Sequence, residues 1–144
     1  APHAKKRIVN VPLQAYAGDE TYLRVTNEIF KPVVESFRPQ MLFISAGFDA
    51  HWNDPITSLG LSTRGYYEMS KKLVEIAEEY CDGKIVFVLE GGYDPHNVAH
   101  GAAAVFDALT NSQLNKDAND PSPYADVDHE SRIHEILKWH GISQ

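Results

Sequence analysis

Met41-Leu42-Phe43-Ile44-Ser45-Ala46-Gly47-Phe48-Asp49 and Ile85-Val86-Phe87-Val88-Leu89-Glu90-Gly91-Gly92-Tyr93 decide how this chain folds. Each begins with an apolar run bounded by turn formers, the pattern of a strand buried on both faces in a parallel sheet. Between them the chain has room for a long loop and one helix. A right-handed strand–helix–strand crossover therefore makes the two strands neighbours and opens both following loops on the same sheet edge.

Working outward, Ser62 or Thr63 caps a helix whose apolar positions Tyr66, Met69, Leu73, Ile76 and Tyr80 step by three and four, with Lys71, Lys72, Glu75, Glu78 and Glu79 outside. Cys81-Asp82-Gly83 stops it. After the second strand, Asp94-Pro95 opens a helix to about Leu109, with Pro95 at the tolerated first position. On the N-terminal side, Arg7 to Leu13 reads as a β-branched strand closed by Pro12. Asp19 reads as the N-cap of a helix carrying Leu23, Ile29, Phe30, Val33, Val34 and Phe37, which Pro32 kinks or splits. The stretch 111–128, with Pro121, Pro123 and an acidic excess, reads as a surface linker, and 129–140 as a terminal helix ending at Gly141. This alternation is α/β with a parallel sheet.

Composition narrows the function. Thirteen basic against twenty acidic side chains give a net charge of −7, which argues against direct nucleic-acid binding. No apolar run approaches a membrane span. One cysteine, Cys81, excludes an internal disulfide framework and a cysteine zinc cage, and no signal peptide is legible; an intracellular location, cytoplasmic or nuclear, is expected.

In open parallel sheets ligands bind beyond the carboxyl ends of the strands. Two loops qualify, Ser45 to His51 and Glu90 to Tyr93, and Asp49 and Tyr93 are expected to face one crevice. By residue type alone Asp49 is a metal ligand, a general base or an Asx cap. Tyr93 is an oxyanion donor or a packed loop tyrosine. His51 is a ligand, an acid–base group or a hydrogen-bonded loop histidine. His96 and His100 have metal-binding i, i+4 spacing, but such pairs more often mark a solvated helix face.

Together the words are more specific. S-A-G-F-D-A-H at Ser45 to His51, Asp54-Pro55, and V-F-V-L-E-G-G-Y at Val86 to Tyr93 resemble the zinc-dependent histone deacetylase and acetylpolyamine amidohydrolase superfamily, closest to its class II-like branch. V-N-V-P-L at Val9 to Leu13, G-D-E-x-Y-L at Gly18 to Leu23 and W-H-G-I at Trp139 to Ile142 add to the resemblance.

The resemblance implies a three-layer α/β/α arrangement around a parallel sheet, the arginase/deacetylase-like fold, of which 1–144 is the C-terminal portion of the catalytic domain. It implies that Asp49 is one carboxylate ligand of a catalytic Zn2+ and that Tyr93 hydrogen-bonds the acetyl oxygen as negative charge develops there. It also implies that Gly91 and Gly92 let the backbone approach the substrate channel and that Ile56 lines its rim. The substrate is then an acetylated lysine in a protein, or an acetylated small amine. The family takes its other two ligands from an Asp-x-His pair upstream of the Asp49 carboxylate, and its base from a His-His dyad further upstream; here the only histidine before His51 is His3, and no two histidines are adjacent. An isolated chain with one ligand is expected to be inactive, and to need either the missing N-terminal part of the catalytic domain or self-association to cover its open sheet. Two other readings compete: a non-catalytic truncated paralogue serving as a protein-association module, and a ureohydrolase with a manganese pair. The second is disfavoured because Ala50 and His51 stand where a further carboxylate is needed.

Overall fold

The computed structural model describes residues 8–142. Its elements run α1 (Asp19–Val25), a π-helical turn (Thr26–Phe30), α2 (Lys31–Phe37), β1 (Leu42–Ala46), α3 (Thr63–Tyr80), β2 (Ile85–Leu89), α4 (Pro95–Leu109) and α5 (Glu130–His140). The two strands pair in parallel with Leu42 opposite Ile85 and Ala46 opposite Leu89, so both chains leave the sheet at one edge. The fold is α/β.

Period-two alternation sorts the strand residues by face. Leu42, Ile44 and Ile85 pack with Val34, Ile76, Ala77 and Cys81, while Ala46 and Phe87 pack with Phe48, Leu61, Tyr66, Ala104 and Val105. The helices thus cover one face. The opposite face carries Phe43 (71 % exposed), Val86 and Val88, so the expectation of strands buried on both faces does not hold among the described residues. No helix or strand of residues 8–142 lies over those side chains.

Two helix starts follow their sequence signals. Ser62 Oγ accepts the Gly65 N–H at the head of α3, and the Asp94 carboxylate accepts the Asn97 N–H at the head of α4, where Pro95 takes the first position. Asp19 departs from its expected role: Gly18 occupies the N-cap of α1 without a side-chain cap, and the Asp19 carboxylate instead receives the Ser62 N–H at 2.7 Å and the Ser62 hydroxyl at 2.6 Å.

Pro32 acts upstream of itself. Its missing N–H and its ring against the carbonyl four residues back disfavour regular α geometry, and the chain widens to a π turn immediately before it, closed by Lys31 N–H to Thr26 C=O.

The expected strand at Arg7–Leu13 is not formed by residues 8–13; Arg7 lies outside the described residues. Without a neighbouring strand the segment has no ladder to join. Val9 and Val11 pack instead on the cluster of Ile29 with Ile133, Ile136 and Leu137 of α5.

The stretch 111–128 follows the surface but is fastened twice. The Asp117 carboxylate accepts the Thr63 hydroxyl and the Asn119 N–H. The Asp126 carboxylate accepts the Gly18 and Thr21 N–H groups, both at 2.8 Å, and the Thr21 hydroxyl at 2.7 Å.

Candidate functional site

The parallel register brings the loops after β1 and β2 side by side. Glu90 N–H donates to Ala46 C=O at 3.0 Å, continuing the ladder, and Phe48 N–H donates to Gly91 C=O at 2.8 Å, joining one loop to the other. Phe48 turns inward, buried against Tyr66 at a ring-centroid distance of 5.2 Å.

Asp49 then lies against the glycine turn. A Cβ on Gly91 would stand 2.6 Å from Asp49 Oδ2, and one on Gly47 would stand 2.8 Å from Oδ1. Any other residue at position 91 displaces this carboxylate. Gly92 has φ +131°, in the region that favours glycine, and a Cβ there would meet Val98 Cγ2 at 2.6 Å.

Asp54 organises the rest. Its Oδ1 accepts the Ile56 N–H at 2.8 Å and its Oδ2 accepts the Tyr93 N–H at 2.9 Å, so one largely buried carboxylate fixes the backbone of both residues. Their side chains remain outside: Ile56 is 67 % exposed and Tyr93 59 %. Gly91 and Asp49 are in close approach, and Tyr93 and Ile56 are linked through Asp54.

Beside Asp49 lies a mostly apolar cavity of about 370 Å³, bounded by Tyr22, Phe48, Leu61, Tyr66 and Met69; Tyr93 is not among its lining residues. Burial, and then the negative charge of Asp49, push the Tyr22 phenol up to about 12, so it stays protonated as a donor near neutrality. Burial likewise pushes the Tyr66 phenol up. Sequence reasoning assigned no site role to Tyr22 or Asp54, although both lie inside the quoted words G-D-E-x-Y-L and Asp54-Pro55.

His51 is fully buried, and its Nδ1 accepts the Asn53 N–H at 3.2 Å. Its pKa is lowered by burial, against the pull of Asp117, Asp120 and Asp94. It is therefore a neutral imidazole carrying its proton on Nε2, which has no hydrogen-bond partner among the described residues.

For a catalytic zinc, the donor chemistry here is one carboxylate. No hydrogen bond from a described residue reaches the Asp49 carboxylate oxygens, while its backbone carbonyl accepts the Thr57 hydroxyl; a free carboxylate suits a cation ligand, but one donor does not complete a three-ligand zinc centre. The described His/Cys/Asp/Glu group with ligand spacing is elsewhere, at His96, His100 and Asp117.

Residues 1–109 match the family model described as histone deacetylase domain. The chain is 56 % identical over 85 residues to a probable deacetylase of Archaeoglobus fulgidus, covering 59 % of this chain and 24 % of that protein. It is 39 % identical over 101 residues to the chloroplastic histone deacetylase 14 of Arabidopsis thaliana, covering 70 % of this chain and 24 % of that protein. Among solved structures, the histone deacetylase Clr3 superposes with a TM-score of 0.78 at 28 % identity, over 94 % of this chain and 22 % of that one. The chain spans about a quarter of the length of these curated relatives.

Proposed function

This chain belongs to the histone deacetylase domain family, and from that premise we propose that it is the C-terminal portion of a zinc-dependent deacetylase catalytic domain. In this reading the domain hydrolyses the acetyl amide of acetyl-lysine in a protein, or of a similar acetylated amine. The observation that carries the proposal is the joining of the Asp49 loop to the Gly91-Gly92-Tyr93 turn by the Phe48–Gly91 hydrogen bond at the carboxyl edge of two parallel strands.

Asp49 would supply one carboxylate ligand, and the bound ion would polarise water and the acetyl carbonyl. Gly91 leaves the space that the Asp49 carboxylate occupies. Tyr93, its backbone fixed by Asp54, donates its phenol proton in a hydrogen bond to the acetyl oxygen as negative charge develops there, an interaction strongest in the transition state. Ile56 offers an apolar rim to the methylene stem of the substrate. A net charge of −7 attracts cationic substrates, lysine-rich segments and polyamines alike.

An intracellular location belongs to the same proposal. So does a covering partner for the exposed sheet face: the N-terminal part of the catalytic domain, or a second copy of the chain. The bare face at Phe43, Val86 and Val88 also favours a second reading, a non-catalytic association module. Turnover separates the two. In a catalytic domain completed by an upstream family segment, Tyr93→Phe is expected to lower kcat roughly a hundred- to a thousand-fold with little change in KM, the scale of one lost oxyanion donor. Asp49→Asn is expected to weaken zinc and to recover in part at high added metal. Equal kcat for the parent and Tyr93→Phe at full zinc occupancy would remove Tyr93 from the mechanism.

A further inference from the structure

His96 and His100 occupy successive turns of α4, their ring centroids 4.2 Å apart. Asp117 reaches them from the 111–128 stretch: its Oδ1 is 2.9 Å from His96 Nε2, and its Oδ2 is 4.0 Å from His100 Nδ1. One donor atom from each residue lies within 4.8 Å of the other two. We propose that these three side chains form a second metal site, distinct from Asp49, that takes a borderline divalent cation such as Zn2+ and clasps the 111–128 stretch to α4.

Three observations favour a metal clasp over a histidine–aspartate pair. The carboxylate meets one imidazole at hydrogen-bond distance and leaves the other at 4.0 Å, outside it. A cation placed where the donors converge would engage both rings. The Asp117 side chain is fully buried, while those of His96 and His100 are 43 % and 32 % exposed. An ion thus reaches the buried carboxylate from solvent past two part-exposed rings. The carboxylate is already oriented by the Thr63 hydroxyl and the Asn119 N–H, the outer partners that hold a ligand in place.

Two imidazole nitrogens and one carboxylate oxygen suit Zn2+, Co2+ or Ni2+ better than Mg2+ or Ca2+, which favour oxygen. Around tetrahedral zinc, donors at about 2.0–2.1 Å lie roughly 3.3 Å apart, so donor atoms within 4.8 Å of one another close by about 1.5 Å at most. Binding replaces the His96–Asp117 hydrogen bond, and Asp117 then joins α4, the head of α3 through Thr63, and the 111–128 stretch at one point.

The test is a titration of the metal-stripped 144-residue chain with Zn2+ by calorimetry and with Co2+ by visible absorption, each paired with a thermal melt. Saturation at one ion per chain and a rise in Tm with Zn2+ are expected. His100→Gln keeps the His96–Asp117 hydrogen bond, so its metal-free Tm should stay near that of the parent. Its affinity should nevertheless fall by at least the roughly 10- to 100-fold that losing even an outer partner costs. His96→Gln should lose both affinity and metal-free stability, and Asp49→Asn should bind as the parent does. Parent-like affinity in His100→Gln, no saturable binding in the parent, or binding abolished by Asp49→Asn would each overturn the site.

Discussion

The Asp19 carboxylate holds Ser62 by two bonds at once, its backbone N–H and its hydroxyl, across forty-three positions of sequence. The same hydroxyl oxygen accepts the Gly65 N–H, so α1 and α3 begin at one shared knot. Gly65 is required beside it, since a Cβ there would fall 2.1 Å from Asp19 Oδ1.

Asp19→Ala should therefore destabilise the fold by about 2–3 kcal/mol, since it removes charge-assisted bonds and leaves the fully buried Ser62 short of a partner. Ser62→Ala should cost a similar amount. The double variant should cost much less than the two together, as residues sharing one interaction are not additive. Chemical denaturation of the four proteins measures this. Additive losses would mean that the knot is not a single unit.

Gly101→Ala sets helix propensity against packing. Alanine in a helix interior gains about 1 kcal/mol over glycine. A Cβ here, however, would stand 2.3 Å from Phe48 Cδ1, on a ring buried between α4 and α3, and overpacking of this kind costs about 1–3 kcal/mol. Packing is expected to win, with a lower Tm for Gly101→Ala. Phe48→Leu, which shortens the obstructing side chain, should restore part of the loss in the double variant.

Acid sensitivity has a source in Asp126. Desolvation raises its pKa, but the Thr21 and Gly18 N–H groups and the Thr21 hydroxyl outweigh that, and the net direction is down. A carboxylate with a depressed folded-state pKa contributes stability that is present above its unfolded value, near 3.9, and lost as pH falls through the folded value. Tm measured from pH 6 down to pH 2 should fall through that window. Asp126→Asn should start lower at pH 6 and show a shallower decline. A parallel decline in the two proteins would place the acid sensitivity elsewhere.

Much of this architecture was legible because its signals are local. β2 occupies Ile85–Leu89, the apolar run itself, and Ser62 and Asp94 cap the helices that begin beside them. The neighbouring loops at Asp49 and Tyr93 followed from two apolar runs and the handedness of one crossover. What escaped depends on distant partners. Asp19 has every local mark of a cap, yet its partner sits after the next strand. Asp117 and Asp126 look like charges in a polar linker, and only folding sets them beside His96 and Thr21. The i, i+4 spacing of His96 and His100 was visible; the carboxylate between them was not. Exposure of Phe43 was invisible for a different reason, because an apolar strand announces that it wants two covers and not which of them its own chain supplies.

The π turn ahead of Pro32 works like an offset between two cogs on one shaft. Ile29, within it, engages α5, and Val34, just beyond it, engages Leu42 and Ile76. One residue corresponds to about 100° of rotation along an α-helix, so removing a single residue from 26–30 would not merely shorten this segment. It would turn every tooth beyond the deletion, swinging Val34 out of mesh with β1 while Ile29 stayed seated. The spacing between these two contacts is thus fixed to the residue, although Ile29 and Val34 considered alone are ordinary aliphatics.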